Sequence, residues 1–379
     1  MIIGYDGSYA ILKNNTTEGN YSKIVVESVA ECYPRHRIYV YTPRVERRSA
    51  ATTLAVMPNV NIKQPRKTLN KALWLNWEGM VKELERHHVA LYHGLSGRLP
   101  LRIKSSHARS VVTIHGLGHI LYPGDYKWWN RVKRDFFTKR SCRLADCIVT
   151  TSQHTKNDLI EHLGIDSDKI EVVYPAVDDR FVGRVIDAEL DTVRSKYKLP
   201  KRYILVISSL LEHKNVMAVL QAMSQMQEKK IDLVLVGSET DYYVRVLRNY
   251  AQSHRLMHRL VHISRAHAAD MASIYRMADV LVAPSRYEGF GLTVIEAQAC
   301  DVPVITTSGT ALEEAGGDAA LYFEPDDIAT LASHLDQVLA DESLRERLIE
   351  AGHRNIERFT SQKLADNLDE LYHKILRRK

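Results

Sequence analysis

The 379-residue chain has no apolar run approaching the ~20 residues that cross a bilayer. Its first residues, MIIGYDGSYAILK, lack a basic stretch leading into a long apolar one, so a secretory signal is not expected. Cysteine is scarce. Cys32, Cys142, Cys147 and Cys300 are scattered, and Cys142 and Cys147 miss the CxxC spacing, which speaks against a metal site or a disulfide framework. Low-complexity segments are absent. Neither half carries GxGxxG after its first strand, which disfavours a nicotinamide dehydrogenase. No base-reading module is present, so nucleic acid is not expected as a partner. What remains is a protein suited to a reducing cytoplasm.

What is present is an ordinary globular composition, 45% hydrophobic and 26% charged. The charge is unevenly placed. Residues 1–180 hold 27 Lys and Arg against 18 Asp and Glu, whereas the remainder holds 25 against 28. A basic first half attracts nucleic acid, anionic lipid or a phosphorylated substrate alike.

Short apolar runs alternate with helical spacing, as parallel sheets covered on both faces require. IIGY (2–5), RIYVYTP (37–43), VALYHG (89–94), SVVTIHG (110–116), DCIVTTS (146–152) and KIEVVYP (169–175) read as one strand set. RYILVIS (202–208), IDLVLVG (231–237), RLVHIS (259–264), DVLVAPS (279–285) and VPVITTS (302–308) read as a second. The expected architecture is α/β, with two doubly wound Rossmann-like domains. Residues 1–180, joined by the C-terminal helix 360–379, make the first, and residues 181–359 the second. Ligands of such folds bind beyond the carboxyl ends of the strands, here in a cleft between the domains.

The chemistry-bearing residues fall just after strands. EGFGLTVIE (288–296) follows DVLVAPS and runs into a helix from about Leu292 to Cys300. Its glycines let the backbone approach a ligand, and the N–H groups near Gly291, Leu292 and Thr293 form an anion seat. Glu288 precedes the helix and Glu296 lies one turn inside it. A phosphate at the helix start would therefore have a carboxylate on each side, suited to hydroxyls, as in a nucleotide sugar. Acidic residues favouring a helix dipole are the plain alternative. In ISSLLEHKN (207–215), Lys214 could neutralise a diphosphate; taken alone it reads as a surface lysine. In TIHGLGH (113–119), His115 ends a strand and His119 follows a Gly-rich turn; His93 of HGLS is a lesser candidate. A core histidine is the plain reading for these, and no partner has metal-ligand spacing.

Together, EGFGLTVIE with the APS before it, HKN after the first strand of the second half, and GGDAALYFEPDD (316–327) resemble the retaining glycosyltransferases of family 4, which have the GT-B fold. LYHGLS, SVVTIHGLGH, ADCIVTTSQHTKNDL and KIEVVYPAVDDRF fall in that family's order, so the resemblance covers nearly the whole chain. It implies that Glu288 grips donor-sugar hydroxyls and Glu296 the donor ribose. The backbone at Phe290, Gly291 and Leu292 would hold the sugar and distal phosphate. Lys214 matches a diphosphate lysine, His115 a histidine near the reacting centre, and Gly237 a glycine near the nucleotide. Departures are visible. Where the family commonly has an arginine beside the lysine, this chain offers Ser208, Ser209 and His213. Gly116, not Asp, follows His115. The first loop, KNNTTEGNYS (13–22), has only Gly19. Asp301 replaces a usual glycine before VPV.

The implied reaction is hexosyl transfer with retention from a nucleoside-diphosphate sugar, without a metal or other cofactor. GDP-mannose is the first expectation for the donor and a UDP-hexose the next. A nucleotide-sugar epimerase shares the fold, and a non-catalytic sugar-binding relic is the non-enzymatic alternative. The acceptor is expected to be a glycan or lipid-linked hydroxyl in cell-surface polysaccharide or glycolipid synthesis. WWNRVKRDFFTKR (128–140) mixes aromatic and basic residues. It reads either as a solvated helix packing its aromatics on its own domain, the favoured reading, or as a segment at the inner membrane face.

Overall fold

The computed structural model describes residues 1–12, 16–45, 51–65, 78–183 and 185–377. The first three residues of the expected glycine-poor loop, 13–15, lie outside them. The chain divides into two compact units, Met1–Ala176 with Phe359–Lys379, and Val177–Arg358.

The first unit carries β1 (Ile2–Asp6), β2 (Arg37–Tyr41), β3 (Val60–Lys63), β4 (Leu91–Gly94), β5 (Arg109–Ile114), β6 (Cys147–Thr150) and β7 (Ile170–Val172). They form one parallel sheet in the order β3-β2-β1-β4-β5-β6-β7. The second unit carries β8 (Tyr203–Ile207), β9 (Asp232–Val236), β10 (Leu260–Ile263), β11 (Val280–Ala283), β12 (Val304–Thr307) and β13 (Leu321–Phe323). Their order is β10-β9-β8-β11-β12-β13, again parallel throughout. In both sheets the order reverses beside the unit's first strand, between β1 and β4 and between β8 and β11. Helices on the two sides of that point pack on opposite faces, so a crevice opens at the carboxyl ends of these strand pairs.

Alternate residues serve opposite faces, which is why the strands read as continuous apolar runs. Ile3, Tyr5, Ile38 and Val40 enter one core of the first unit with Val25 and Val29 of the helix Thr17–Cys32. Tyr39, Tyr41, Tyr92 and Val112 enter a second core on the other face. The last helix, Ser361–Arg377, packs into the first of these cores through Leu364, Leu368, Leu371 and Tyr372. Its Tyr372 hydroxyl meets Tyr5 Oη at 3.1 Å and His93 Nδ1 at 2.7 Å inside that core.

Two strands, β3 and β13, have no counterpart among the sequence-based expectations. Both are edge strands of three or four residues, mostly half-buried, so neither shows a sustained apolar run. A correction concerns the segment 128–140. It lies on the helix Trp128–Leu144, as its composition suggests. Its aromatics, however, do not pack on their own domain, because Trp128, Trp129 and Phe136 are exposed. Only Phe137 is partly covered, under the Arg98 guanidinium, 4.9 Å from the ring centroid. Among the described residues no helix is long and apolar enough to cross a membrane.

Leu368 is fully buried in the core that the returning C-terminal helix completes. Leu368→Ala should cost about 2–5 kcal/mol through lost burial and the cavity left behind. Denaturant titration would show this as a lower midpoint with an unchanged slope. A loss below about 0.5 kcal/mol would mean the helix is not part of that core.

Candidate active site

At the switch point of the second unit, two loops leave adjacent strands. After β8 the chain makes a single turn of 3-10 helix, Glu212–Lys214, and Asn215 adopts a left-handed conformation with φ 53°. The Asn215 amide donates to the Pro325 carbonyl at 2.8 Å, fixing this turn before the helix Val216–Gln225 begins. After β11, buried Ser285 donates through Oγ to Glu288 Oε1 at 3.0 Å. The Arg286 N–H donates to the His213 carbonyl at 2.9 Å, tying the two loops together, while its guanidinium holds Asp326 through both nitrogens. The result brings Lys214 Nζ within 2.7 Å of Glu288 Oε1, with the lysine the better covered of the two.

Gly291 then turns the chain into the helix Leu292–Ala299 with φ 118°. A β-carbon there would stand 2.7 Å from the Leu312 side chain, so both conformation and space require glycine. The helix begins without a side-chain cap. Val294 N–H returns to the Gly291 carbonyl at 3.0 Å, leaving the N–H groups of Leu292 and Thr293 as helix-start donors. Phe290 is buried beneath this turn. Glu296, in the second turn, is held by the Tyr275 hydroxyl, which donates to Oε2 at 2.7 Å. Burial pushes the Glu296 carboxyl up to about 7, opposed by the Tyr275 hydrogen bond and the Arg180 guanidinium and reinforced by Asp178.

Gly237 follows β9. A β-carbon on it would fall 1.8 Å from the Ser208 carbonyl oxygen, so the chain leaving β9 runs against the one leaving β8. Its own carbonyl accepts from His262 Nε2 at 2.8 Å. Ser209 is exposed beside it, whereas His213 is buried. Asp301, where a glycine is usual, has φ 62°. Aspartate tolerates that region better than most side chains. Its carboxylate accepts from Arg276 at 3.0 Å and meets His353 Nε2 at 2.6 Å.

In the first unit the switch point is bridged by Asp6, at the end of β1. Its carboxylate accepts from the Ser8 N–H at 3.0 Å, from Ser8 Oγ at 2.5 Å, and from Ser96 Oγ in the loop after β4. His115, after β5, places Nε2 2.7 Å from the Leu95 carbonyl of that same loop. A carbonyl can only accept, so Nε2 carries the proton. Burial lowers the His115 pKa, against the pull of Glu18 and the Leu95 carbonyl, so the neutral ring presents Nδ1 as an acceptor. The Tyr21 ring meets it edge-on, centroids 4.8 Å apart.

The other histidines stand differently. His93 is fully buried, with Nδ1 on Tyr372 and Nε2 2.8 Å from Thr113 Oγ1. Burial lowers its pKa to about 3, and both ring nitrogens are occupied inside the core. His119 is buried with Nε2 unpartnered among the described residues; burial and nearby Arg134 bring its pKa to about 4. Gly19 sits in the first turn of the helix Thr17–Cys32, its N–H capped by Thr16 Oγ1 at 3.1 Å.

The second unit thus joins Lys214, Glu288 and the helix start through Ser285 and Arg286, and holds Glu296 separately through Tyr275. Tyr275, Ser285 and Arg286 were not among the expected site residues. Ser285 ends the quoted strand segment DVLVAPS and Arg286 follows it, whereas Tyr275 lies one helix upstream and carries no local signal.

Residues 24–181 match the model of Glycosyltransferase Family 4, and residues 189–355 that of Glycosyl transferases group 1. The chain is 29% identical over 264 residues to O-antigen chain mannosyltransferase B of Escherichia coli, covering 68% of this chain and 67% of that one. It is 26% identical over 276 residues to the serotype-specific mannosyltransferase WbdA of Escherichia coli, covering 69% of this chain but spanning only 33% of that longer protein. Among solved structures, sucrose-phosphate synthase from Thermosynechococcus elongatus superposes with a TM-score of 0.78 at 20% identity, over 99% of both chains. Anabaena HepE in complex with UDP and glucose superposes at 0.74 with 18% identity, over 98% of this chain and 99% of that one.

The raised Glu296 carboxyl has a stability signature. A group whose pKa rises from 4.5 on folding contributes stability that is complete below about 4.5 and is lost as pH rises through about 7. The Tm of the wild type relative to Glu296→Gln should therefore fall as pH increases from about 5 to about 8. A difference that stays flat across this window would show that Glu296 does not titrate there.

Proposed function

The chain belongs to glycosyltransferase family 4 and has the GT-B fold of two Rossmann-like domains, and on that premise we propose that it moves a hexosyl group from a nucleoside-diphosphate sugar to an acceptor hydroxyl. The observation that carries this reading is the Lys214–Glu288 contact at the switch point, beside the helix start at Leu292 and Thr293. A diphosphate needs a cation and N–H donors, and a sugar needs a hydroxyl acceptor. All three stand together here.

The proposed roles follow from the chemistry of each group. Lys214 and the N–H groups at Leu292 and Thr293 face the diphosphate. They stabilise the charge that grows on the distal phosphate as its bond to the anomeric carbon breaks. Neutralisation by these groups is what makes a metal unnecessary in this reading. Glu288, oriented by Ser285, accepts from hexose hydroxyls, and Glu296, oriented by Tyr275, from the ribose. The transition state is oxocarbenium-like. The acceptor hydroxyl attacks the face that the phosphate leaves, its proton passes to the departing phosphate oxygen, and configuration is retained. No side chain is assigned as a covalent nucleophile. His115, neutral with Nδ1 as acceptor, belongs in this reading near the sugar.

Mannose is the first reading for the transferred sugar, with GDP-mannose as donor. It is supported by the names of the Escherichia coli relatives, both mannosyltransferases. A UDP-hexose is the second. The acceptor reading is a glycan or lipid-linked hydroxyl in cell-surface polysaccharide synthesis, with the protein peripheral on the cytoplasmic face of the inner membrane.

Glu288→Ala and Lys214→Ala should each lower kcat by roughly 100- to 1000-fold, the loss typical of removing one preorganised stabilising group. Their thermal unfolding should remain near wild type. Near-normal transfer by Glu288→Ala would sink the assignment. Donor consumption that proceeds at full rate without any acceptor would favour the epimerase instead.

A further inference from the structure

Among the described residues, the helix Trp128–Leu144 carries the largest exposed apolar side chains of the first unit. Trp128, Trp129, Val132 and Phe136 are 65%, 56%, 51% and 55% exposed. At about 100° per residue these four positions fall within one stripe about 100° wide. The buried residues of the helix, Thr138, Ser141 and Cys142, lie on the opposite side. The apolar stripe is therefore the outward face, not a poorly packed inward one. A contiguous exposed patch of this kind marks an interaction surface.

The charges around the stripe choose the partner. The helix carries Arg131, Lys133, Arg134, Lys139, Arg140 and Arg143 against a single acid, Asp135. Lys139 is spent on Asp135 at 2.9 Å, and Arg140 donates to the Leu101 carbonyl at 2.7 Å. Lys133 and Arg143 are exposed and form no ion pair among the described residues. Lys133 borders the stripe on one side, Arg143 continues its line toward the C-terminal end of the helix, and Lys127 at the N-terminal end lies 6.0 Å from the Trp129 ring centroid. Tryptophans beside unpaired bases match the boundary of an anionic bilayer, where indoles sit at headgroup depth and bases meet lipid phosphates.

We propose that the Trp128–Leu144 helix docks the protein on anionic lipid, with Trp128, Trp129, Val132 and Phe136 in the headgroup boundary and Lys133 and Arg143 on lipid phosphates. This rests on the peripheral reading above and gives it a surface. It is independent of the donor assignment, because none of these residues belongs to the Lys214–Glu288 site.

Flotation with vesicles of phosphatidylcholine containing about one third phosphatidylglycerol tests it, with pure phosphatidylcholine as control. The wild type should float with the mixed vesicles only, and less as salt shortens the screening length. Trp128→Ser combined with Trp129→Ser and Phe136→Ser should weaken binding at least about tenfold, as should Lys133→Glu with Arg143→Glu. Because all five side chains are exposed, Tm and lipid-free donor hydrolysis should stay at wild-type values. Wild-type flotation that both variants retain would overturn this surface while leaving the peripheral reading in place. A wild type that does not float would overturn both. A lipid-free dimer that the aromatic variant converts to monomer would assign the stripe to a second copy of the chain and overturn the lipid proposal.

Discussion

A parallel sheet whose strand order reverses must part its helices to opposite faces. Between β8 and β11 that parting leaves two loop ends side by side at the carboxyl end of the sheet. Everything assigned to the second unit depends on this constraint. Lys214 comes from the loop after β8 and Glu288 from the loop after β11, and their contact is possible because those two strands are neighbours. The Arg286 N–H on the His213 carbonyl fixes the spacing of the loops, and the Asp326 clasp holds Arg286. The pairing of a cation with a carboxylate is thus set by backbone topology first and by side-chain choice second.

Close backbone approach is the second requirement, and glycine supplies it at two positions. Gly237 lets the chain after β9 lie against the Ser208 carbonyl, and Gly291 gives the left-handed turn that aims the helix start. Asp301 shows the opposite solution. It keeps the left-handed backbone that glycine usually serves, and turns its side chain into an anchor between Arg276 and His353. In the first unit Asp6 and the Leu95 carbonyl perform the analogous work at the other switch point, joining the loops after β1, β4 and β5.

Much of the fold is legible in the sequence because buried parallel strands are written as unbroken apolar runs. RYILVIS and DVLVAPS could hardly be anything else. The edge strands β3 and β13 are not legible, because VNIK alternates apolar with polar residues and LYF is only three residues long, so neither makes a sustained apolar run. The candidate site is legible as far as local pattern extends: EGFG before a helix, and HKN after a strand. Tyr275 is not, because its contact with Glu296 joins two helices across β11. Nor can a sequence distinguish His93, sealed among Tyr372 and Thr113, from His115, which ends a strand on a loop carbonyl. The Trp128–Leu144 segment misleads for a related reason: its composition gives the side chains but not which side of the helix the sheet occupies.

The central claim is that Lys214 and the Leu292–Thr293 helix start receive the diphosphate of a nucleotide sugar. Thermal-shift titration of the wild type and Lys214→Ala against nucleoside diphosphates and their hexose esters tests it most directly. One base should raise the wild-type Tm, by an amount equivalent to about 2.7 kcal/mol at a ligand concentration of about 100 Kd. Its hexose ester should do so at least as well, and the Lys214→Ala protein should need a much higher concentration for the same shift. A Tm that none of these ligands moves, or one that moves equally in both proteins, would contradict the account.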